Sequence, residues 1–321
     1  MAKKLLVLGG TVFLGRHVVD AAQAACYEVT LLNRGRREVH FNQPVEQLKG
    51  DRNGDLSALQ GRQFDAVVDC SGYTADHLQR SADALRDQVQ HYVFVSTISV
   101  YARFAPGQAF DETAALTTAV DGYGGGKACA EETIAAAMPG RVSILRPGLI
   151  VGPHDPTGRF TYWPSRLDRG GRVLAPGRPD RPVQFIDARD LAQWCVQLAS
   201  QRRPGVVHGI GPSGSMASLL QACQHASGSA AADLVWCDDA KLVDAKIAPW
   251  TGLPLWIPEA DPAFGGMLLA SAQAAVEAGL RTRPWDETAR DTLAWAREAG
   301  ASAHSATALT PEAEAQILAA G

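Results

Sequence analysis

The chain has 321 residues, 46% of them hydrophobic and 20% charged, with a formal net charge of −4. That length fits one large or two modest domains, and the composition excludes a disordered chain. The mild acidity argues against nucleic acid as the main partner, and no apolar run approaches a membrane span.

Lys3 and Lys4 precede only Leu5-Leu6-Val7-Leu8 before Gly9 and Gly10. This run is too short for a signal peptide and reads as a buried strand. A helix follows over 16–25, then strands over 28–32 and 65–69, a helix near 75–88, a strand over 92–96, an Ala-rich helix over 126–137 and a strand over 142–146. Strands alternating with helices imply βαβ units and a parallel sheet covered on both faces. The fold class expected is α/β, a Rossmann-type doubly wound parallel sheet with a smaller C-terminal substrate domain. After Pro147 the composition changes, and 152–183 reads as loop rich in Pro, Gly and Arg. Helical patterns return at 187–198, 216–227 and 286–299, with a short strand at 205–210. Thr310-Pro311 opens a last helix, with Thr as N-cap and Pro at the first helical position. The division expected is 1–150 with 184–204 for the dinucleotide domain, 151–183 with 205–300 for the substrate domain, and 301–321 as a tail with a short helix. The six cysteines form no C-x-x-C and no zinc spacing, so no metal is expected and a reduced, cytoplasmic chain is the simple reading.

The first strand runs into Gly9-Gly10-Thr11-Val12-Phe13-Leu14-Gly15 and then a helix. Backbone N–H groups at such a turn approach a pyrophosphate, and the helix dipole favours the anion. Glycine is needed where a side chain would collide with the phosphate. The second strand ends Leu32-Asn33-Arg34-Gly35-Arg36-Arg37. A carboxylate at that end would bind the adenosine ribose and repel a 2′-phosphate. Asn33 with Arg34 suits a phosphorylated ribose instead, because Arg makes charge-assisted bonds to phosphate. NADP is therefore expected, with NAD the alternative.

Tyr123-Gly124-Gly125-Gly126-Lys127 is a Y-x-x-x-K motif, and i with i+4 share a helix face. A lysine beside the phenol is expected to lower its pKa, so that Tyr123 exchanges a proton with a carbonyl or alcohol. The motif lies downstream of Val95-Ser96-Thr97-Ile98-Ser99-Val100-Tyr101, whose hydroxyls can polarise a substrate oxygen. The three glycines weaken this part of the helix by about 1 kcal/mol each relative to Ala.

Taken together, Gly9, Gly15, the Ser/Thr strand end, Tyr123 and Lys127 resemble the extended or atypical short-chain dehydrogenase/reductase superfamily, often labelled NAD-dependent epimerase/dehydratase. The resemblance extends through Arg146-Pro147-Gly148-Leu149-Ile150-Val151-Gly152-Pro153 and Phe185-Ile186-Asp187-Ala188-Arg189-Asp190-Leu191. It covers most of 5–200. Val12 stands where the family has its middle glycine. The resemblance implies Tyr123, Lys127 and Thr97 as catalytic residues. It also implies that Asp51 and Arg52, Cys70, Ser71 and Gly72, Ser96, Lys127, Pro147 and Ile150 join Gly9, Thr11 to Gly15, Asn33 and Arg34 around the dinucleotide, with Lys127 also able to hold the nicotinamide ribose. Nucleotide-sugar members carry an Asn within the segment matching 149–151, an Arg where Val183 stands, and, in dehydratases, Asp-Glu directly after the catalytic Thr. None is present here. A carbonyl reductase of a small apolar or aromatic molecule fits better, with Thr97, Ser99, His154, Tyr162 and Trp163 expected at the substrate. Phe160, Trp250 and Trp256 complete the aromatic set. The alternatives are an epimerase or dehydratase with tightly held NAD, and a non-catalytic dinucleotide sensor or RNA-binding relative. A homodimer packed through the Tyr123 helix is common in the family.

Overall fold

The computed structural model describes residues 2–228, 232–300 and 307–319. The expected linker at 301–306 lies outside the described residues. Seven strands form one parallel sheet: β1 (Lys4–Leu8), β2 (Glu28–Asn33), β3 (Glu46–Lys49), β4 (Phe64–Asp69), β5 (Val89–Val95), β6 (Val142–Pro147) and β11 (Gly205–Gly209), in the order β3-β2-β1-β4-β5-β6-β11. The Leu- and Val-rich runs are buried on both faces, as a covered parallel sheet requires. Helices α1 (Leu14–Ala24) and α5 (Ala188–Gln201) cover one face. Helices α2 (Ala75–Leu85) and α3 (Gly122–Ala137) cover the other. The strand order reverses between β1 and β4, and ligands bind outside the carboxyl ends of the strands at such a switch point.

A second apolar cluster lies away from this sheet. It joins α4 (Tyr162–Asp168), α6 (Met216–Ser227), α7 (Asp239–Asp244), α9 (Trp285–Ala299) and α10 (Pro311–Ala319) to the parallel pair β8 (Gly171–Pro176) and β13 (Ala232–Cys237). Short pairings of β7 (Ile150–Val151) with β10 (Ile186–Asp187), and of β9 (Pro182–Val183) with β12 (Gly214–Ser215), connect the two parts.

The structure differs from the sequence reading in several places. Strand β3 is not in that reading, because an exposed edge strand of sequence Glu-Gln-Leu-Lys has no hydrophobic pattern. The stretch 152–183 is not all loop: α4 and β8 lie within it, too short for periodicity to reveal. Strand β11, assigned above to the substrate domain, is the outer strand of the main sheet. It pairs with β6, and α8 (Gln273–Glu277) places Ala275 in the same core. Chain order alone cannot reveal a strand that returns across 60 residues to its sheet. The Ala-rich helix starts at Gly122 rather than 126, and its glycines have a packing reason. A Cβ on Gly124 would lie 2.1 Å from the Ser99 carbonyl oxygen, and one on Gly125 2.3 Å from that of Ala119. Only glycine lets the first turn of α3 touch the 97–101 loop.

Candidate functional site

A cavity of about 980 Å³ opens at the carboxyl ends of the strands. Its floor is the turn from β1 into α1, lined by Gly9, Thr11, Val12, Phe13, Leu14 and Gly15. A Cβ on Gly15 would sit 2.3 Å from the Gly9 carbonyl oxygen and 2.6 Å from the Gly10 Cα. Both are backbone atoms that cannot yield, so the tight turn exists only with glycine there.

At one end of the cavity lie Asn33, Arg34, Arg36, Arg37, Asp51 and Arg52. The Asn33 carboxamide oxygen accepts from the Gly35 N–H at 2.6 Å and shapes the basic turn. Arg52 is committed elsewhere: its guanidinium donates to both Asp69 oxygens at 2.9 and 2.8 Å. Asp69, at the end of β4, also accepts from the Tyr92 hydroxyl at 2.7 Å and the Ser71 N–H at 3.0 Å. Burial alone would raise its carboxyl, but the Arg52 charge and these bonds outweigh that and hold it below the ordinary carboxylate range. This buried network supports Ser71 and Arg52 in the cavity wall. Cys70 lines the wall too, and burial pushes its thiol well above the ordinary range, which disfavours the thiolate.

The other end holds Ser96, Thr97, Ser99, Tyr123 and Lys127. The Ser96 hydroxyl is buried without a hydrogen-bond partner among the described residues. Thr97 accepts from the Ser99 N–H at 3.1 Å, which fixes its side chain at the strand end. Tyr123, more than half exposed, stands on the first turn of α3 beside Thr97. Desolvation of its hydroxyl raises its pKa, and the Thr97 hydroxyl only partly offsets this. The expected lysine effect on the phenol is absent. The Lys127 ammonium donates instead to the carbonyl oxygens of Gly72 and Val95, both at 2.7 Å, and lies over the rings of Phe94 and Tyr73. Burial lowers it to about 8. Sharing a helix face brought the two residues to one cavity, but the nearby backbone acceptors took the ammonium.

Pro147 and Ile150 line the cavity as well, whereas Gly72 does not; its carbonyl accepts from Lys127. Three expected substrate residues lie off the cavity. Trp163 is fully buried, its indole N–H donating to the Pro254 carbonyl at 2.8 Å. Tyr162 packs edge-on against it in the second core. His154 has φ of 71° and packs against His17 and Trp295, and burial lowers it to about 4. Phe160 and Trp256 are likewise core. Of the aromatic set read from sequence, only Trp250 faces the cavity. Among the residues not foreseen in the cavity lining are Arg159, Asp155 and Met267. Arg159 stands in a segment with no periodic signal, so nothing local marks it.

The NAD dependent epimerase/dehydratase family model matches residues 5–210. The chain belongs to that family. Among curated proteins, it is 26% identical over 209 residues to the chloroplast stem-loop binding protein of 41 kDa b of Arabidopsis thaliana, matching 59% of this chain and 53% of that one. The chain thus spans about half the length of that relative. Among solved structures, the fold resembles the Bordetella bronchiseptica enzyme WbmH in complex with NAD+, with TM-score 0.70 and 16% identity over 93% of this chain and 99% of that one. It also resembles the UDP-N-acetylglucosamine 4-epimerase of Methanobrevibacter ruminantium M1 in complex with UDP-N-acetylmuramic acid, with TM-score 0.71, 18% identity and coverage of 93% and 99%. At these identities the likeness concerns the fold alone. No helix among the described residues is long and apolar enough to cross a membrane.

Proposed function

We propose that the protein is an NADP(H)-dependent oxidoreductase that reduces a carbonyl on a small molecule. The residues present fit a dinucleotide. The Gly9–Gly15 turn leaves backbone where a pyrophosphate approaches, and the unpartnered Ser96 hydroxyl offers a hydrogen bond inside the cavity. The observation that carries the NADP assignment is the basic turn after β2. Arg34, Arg36 and Arg37 line the cavity, none in an ion pair among the described residues, and the strand ends on Asn33 rather than a carboxylate.

When bound, the dinucleotide supplies the hydride. The chain's own residues manage the oxygen. Tyr123, its pKa raised, stays protonated at neutral pH and donates its proton to the carbonyl oxygen. The Thr97 hydroxyl holds that oxygen and orients Tyr123. Lys127 acts as a positioning residue, tying the Gly72 and Val95 carbonyls together beneath the site. The aromatic wall expected for an apolar or aromatic substrate is core, apart from Trp250.

Titration of NADPH and NADH by nicotinamide fluorescence tests the cofactor assignment. NADPH is expected to bind about tenfold tighter, with Arg34→Ala plus Arg36→Ala erasing the preference. Equal affinities would refute it. Tyr123→Phe is expected to cut turnover by about 100-fold or more while NADPH still binds. A second reading, an epimerase that retains NAD, draws on Asp51 lining the same end of the cavity and on neighbours held with NAD. It requires copurifying dinucleotide and no net cofactor turnover.

A further inference from the structure

Arg159 lines the cavity at the reaction end together with Tyr123, Thr97 and Trp250. Its guanidinium carbon lies 5.4 Å from the Trp250 ring centroid, a cation–π contact. Its Nε donates to the Thr157 hydroxyl at 3.1 Å. No carboxylate among the described residues pairs with it. The Asp155 carboxylate attracts it through space but is itself occupied by Thr157, accepting from the N–H at 2.8 Å and from the hydroxyl at 2.7 Å. The cavity's other inner arginine, Arg52, is neutralised by Asp69. Arg159 is therefore a half-buried cation held in place by an aromatic face, with no ion pair among the described residues and only the through-space attraction of Asp155.

Its support is built, not incidental. Trp250 has φ of 66°, a conformation rare for a bulky side chain. The Trp250 N–H donates to the Trp256 carbonyl at 2.8 Å, which holds the loop in that shape. Strained residues that the surroundings over-determine concentrate at ligand clamps. A partly desolvated guanidinium without an ion-pair partner costs free energy that an anion in the cavity would offset.

We propose that Arg159, braced on Trp250, is the specificity-determining anchor for an anionic group of the substrate, a carboxylate or a phosphate ester carried by the oxo compound that Tyr123 protonates. This rests on the oxidoreductase reading and names its substrate class. The anion belongs to the substrate rather than the dinucleotide for two reasons. On that reading the Gly9–Gly15 turn and the α1 N-terminus take the pyrophosphate. The charge of Arg159 also acts on the Tyr123 hydroxyl, at the opposite end of the cavity from Arg34.

The test uses matched pairs on the full chain loaded with NADPH: phenylglyoxylate against its methyl ester, and glyceraldehyde 3-phosphate against glyceraldehyde. Turnover and quenching of bound NADPH fluorescence are both read. The wild type is expected to favour the charged member of at least one pair by about tenfold or more. Arg159→Gln removes that preference and Arg159→Lys keeps part of it, while NADPH affinity stays within about twofold in both. No charged preference in any pair, or a preference that survives Arg159→Gln, overturns the proposal. So does a loss of NADPH affinity in Arg159→Gln as large as the loss for the charged probe, which would assign the arginine to the dinucleotide. A wild type that binds neither NADPH nor NADH would instead sink the oxidoreductase reading, and the anchor with it.

Discussion

Replacing Asp69 by Asn isolates the network under the cavity. The carboxylate is fully buried and accepts four hydrogen bonds, two from Arg52 and one each from Tyr92 and Ser71. An amide keeps the shape but removes the charge and turns an N–H₂ group toward donors. Breaking a buried pair by removing one partner costs about 3–5 kcal/mol, because Arg52 is left as an uncompensated buried charge. Urea unfolding at pH 7 should show that loss for Asp69→Asn. Arg52→Met combined with Asp69→Leu should cost well under the sum of its single variants, by about 2 kcal/mol or more, since the second change removes the orphaned charge. Protonation has the matching sign. The folded pKa lies below the ordinary 3.8, so the carboxylate's contribution is complete above that value and is lost only as pH falls through the folded one. The gap between wild type and Asp69→Asn should therefore be constant from pH 7 to about pH 5. A cost below about 1 kcal/mol, or simple additivity in the double variant, would refute the account.

Gly15→Ala should abolish measurable dinucleotide binding in fluorescence titration, since its Cβ would lie 2.3 Å from the Gly9 carbonyl oxygen; retained binding would show that the turn can open. His91 is buried against Ser143, and burial, reinforced by Arg202, lowers it from 6.5 to about 4. Its unfolded form takes up the proton first, so stability should be lost as pH falls from 6.5 toward 4, by up to about 3 kcal/mol, and His91→Gln should flatten that slope in thermal unfolding. Glu314 on α10 accepts from Arg166 at 2.6 Å and from the Leu174 N–H at 2.9 Å, both buried contacts. Glu314→Ala should release α10, seen as faster limited proteolysis there with the rest of the chain intact; unchanged cleavage would mean that the apolar contacts of Ile317 and Leu318 suffice.

The strand runs, the glycine turn before α1, the basic turn after β2 and the Y-x-x-x-K spacing are all local patterns, and the sequence by itself determined them. Each follows from a few neighbouring residues: alternation of Val and Leu runs with helical stretches, glycine where backbone must come close, and side chains one helical turn apart. These sufficed for the doubly wound sheet and most of the cavity floor. The tertiary structure alone decided which way long side chains turn. Lys127 met the carbonyls of Gly72 and Val95, 55 and 32 residues away, and so left Tyr123 to Thr97. Trp163 found the Pro254 carbonyl 91 residues on and became core, while Trp250, indistinguishable from it by composition, was turned into the cavity beneath Arg159. Burial and partnership are properties of the packed chain, and side chains of the same type acquire different roles according to what distant segments place beside them.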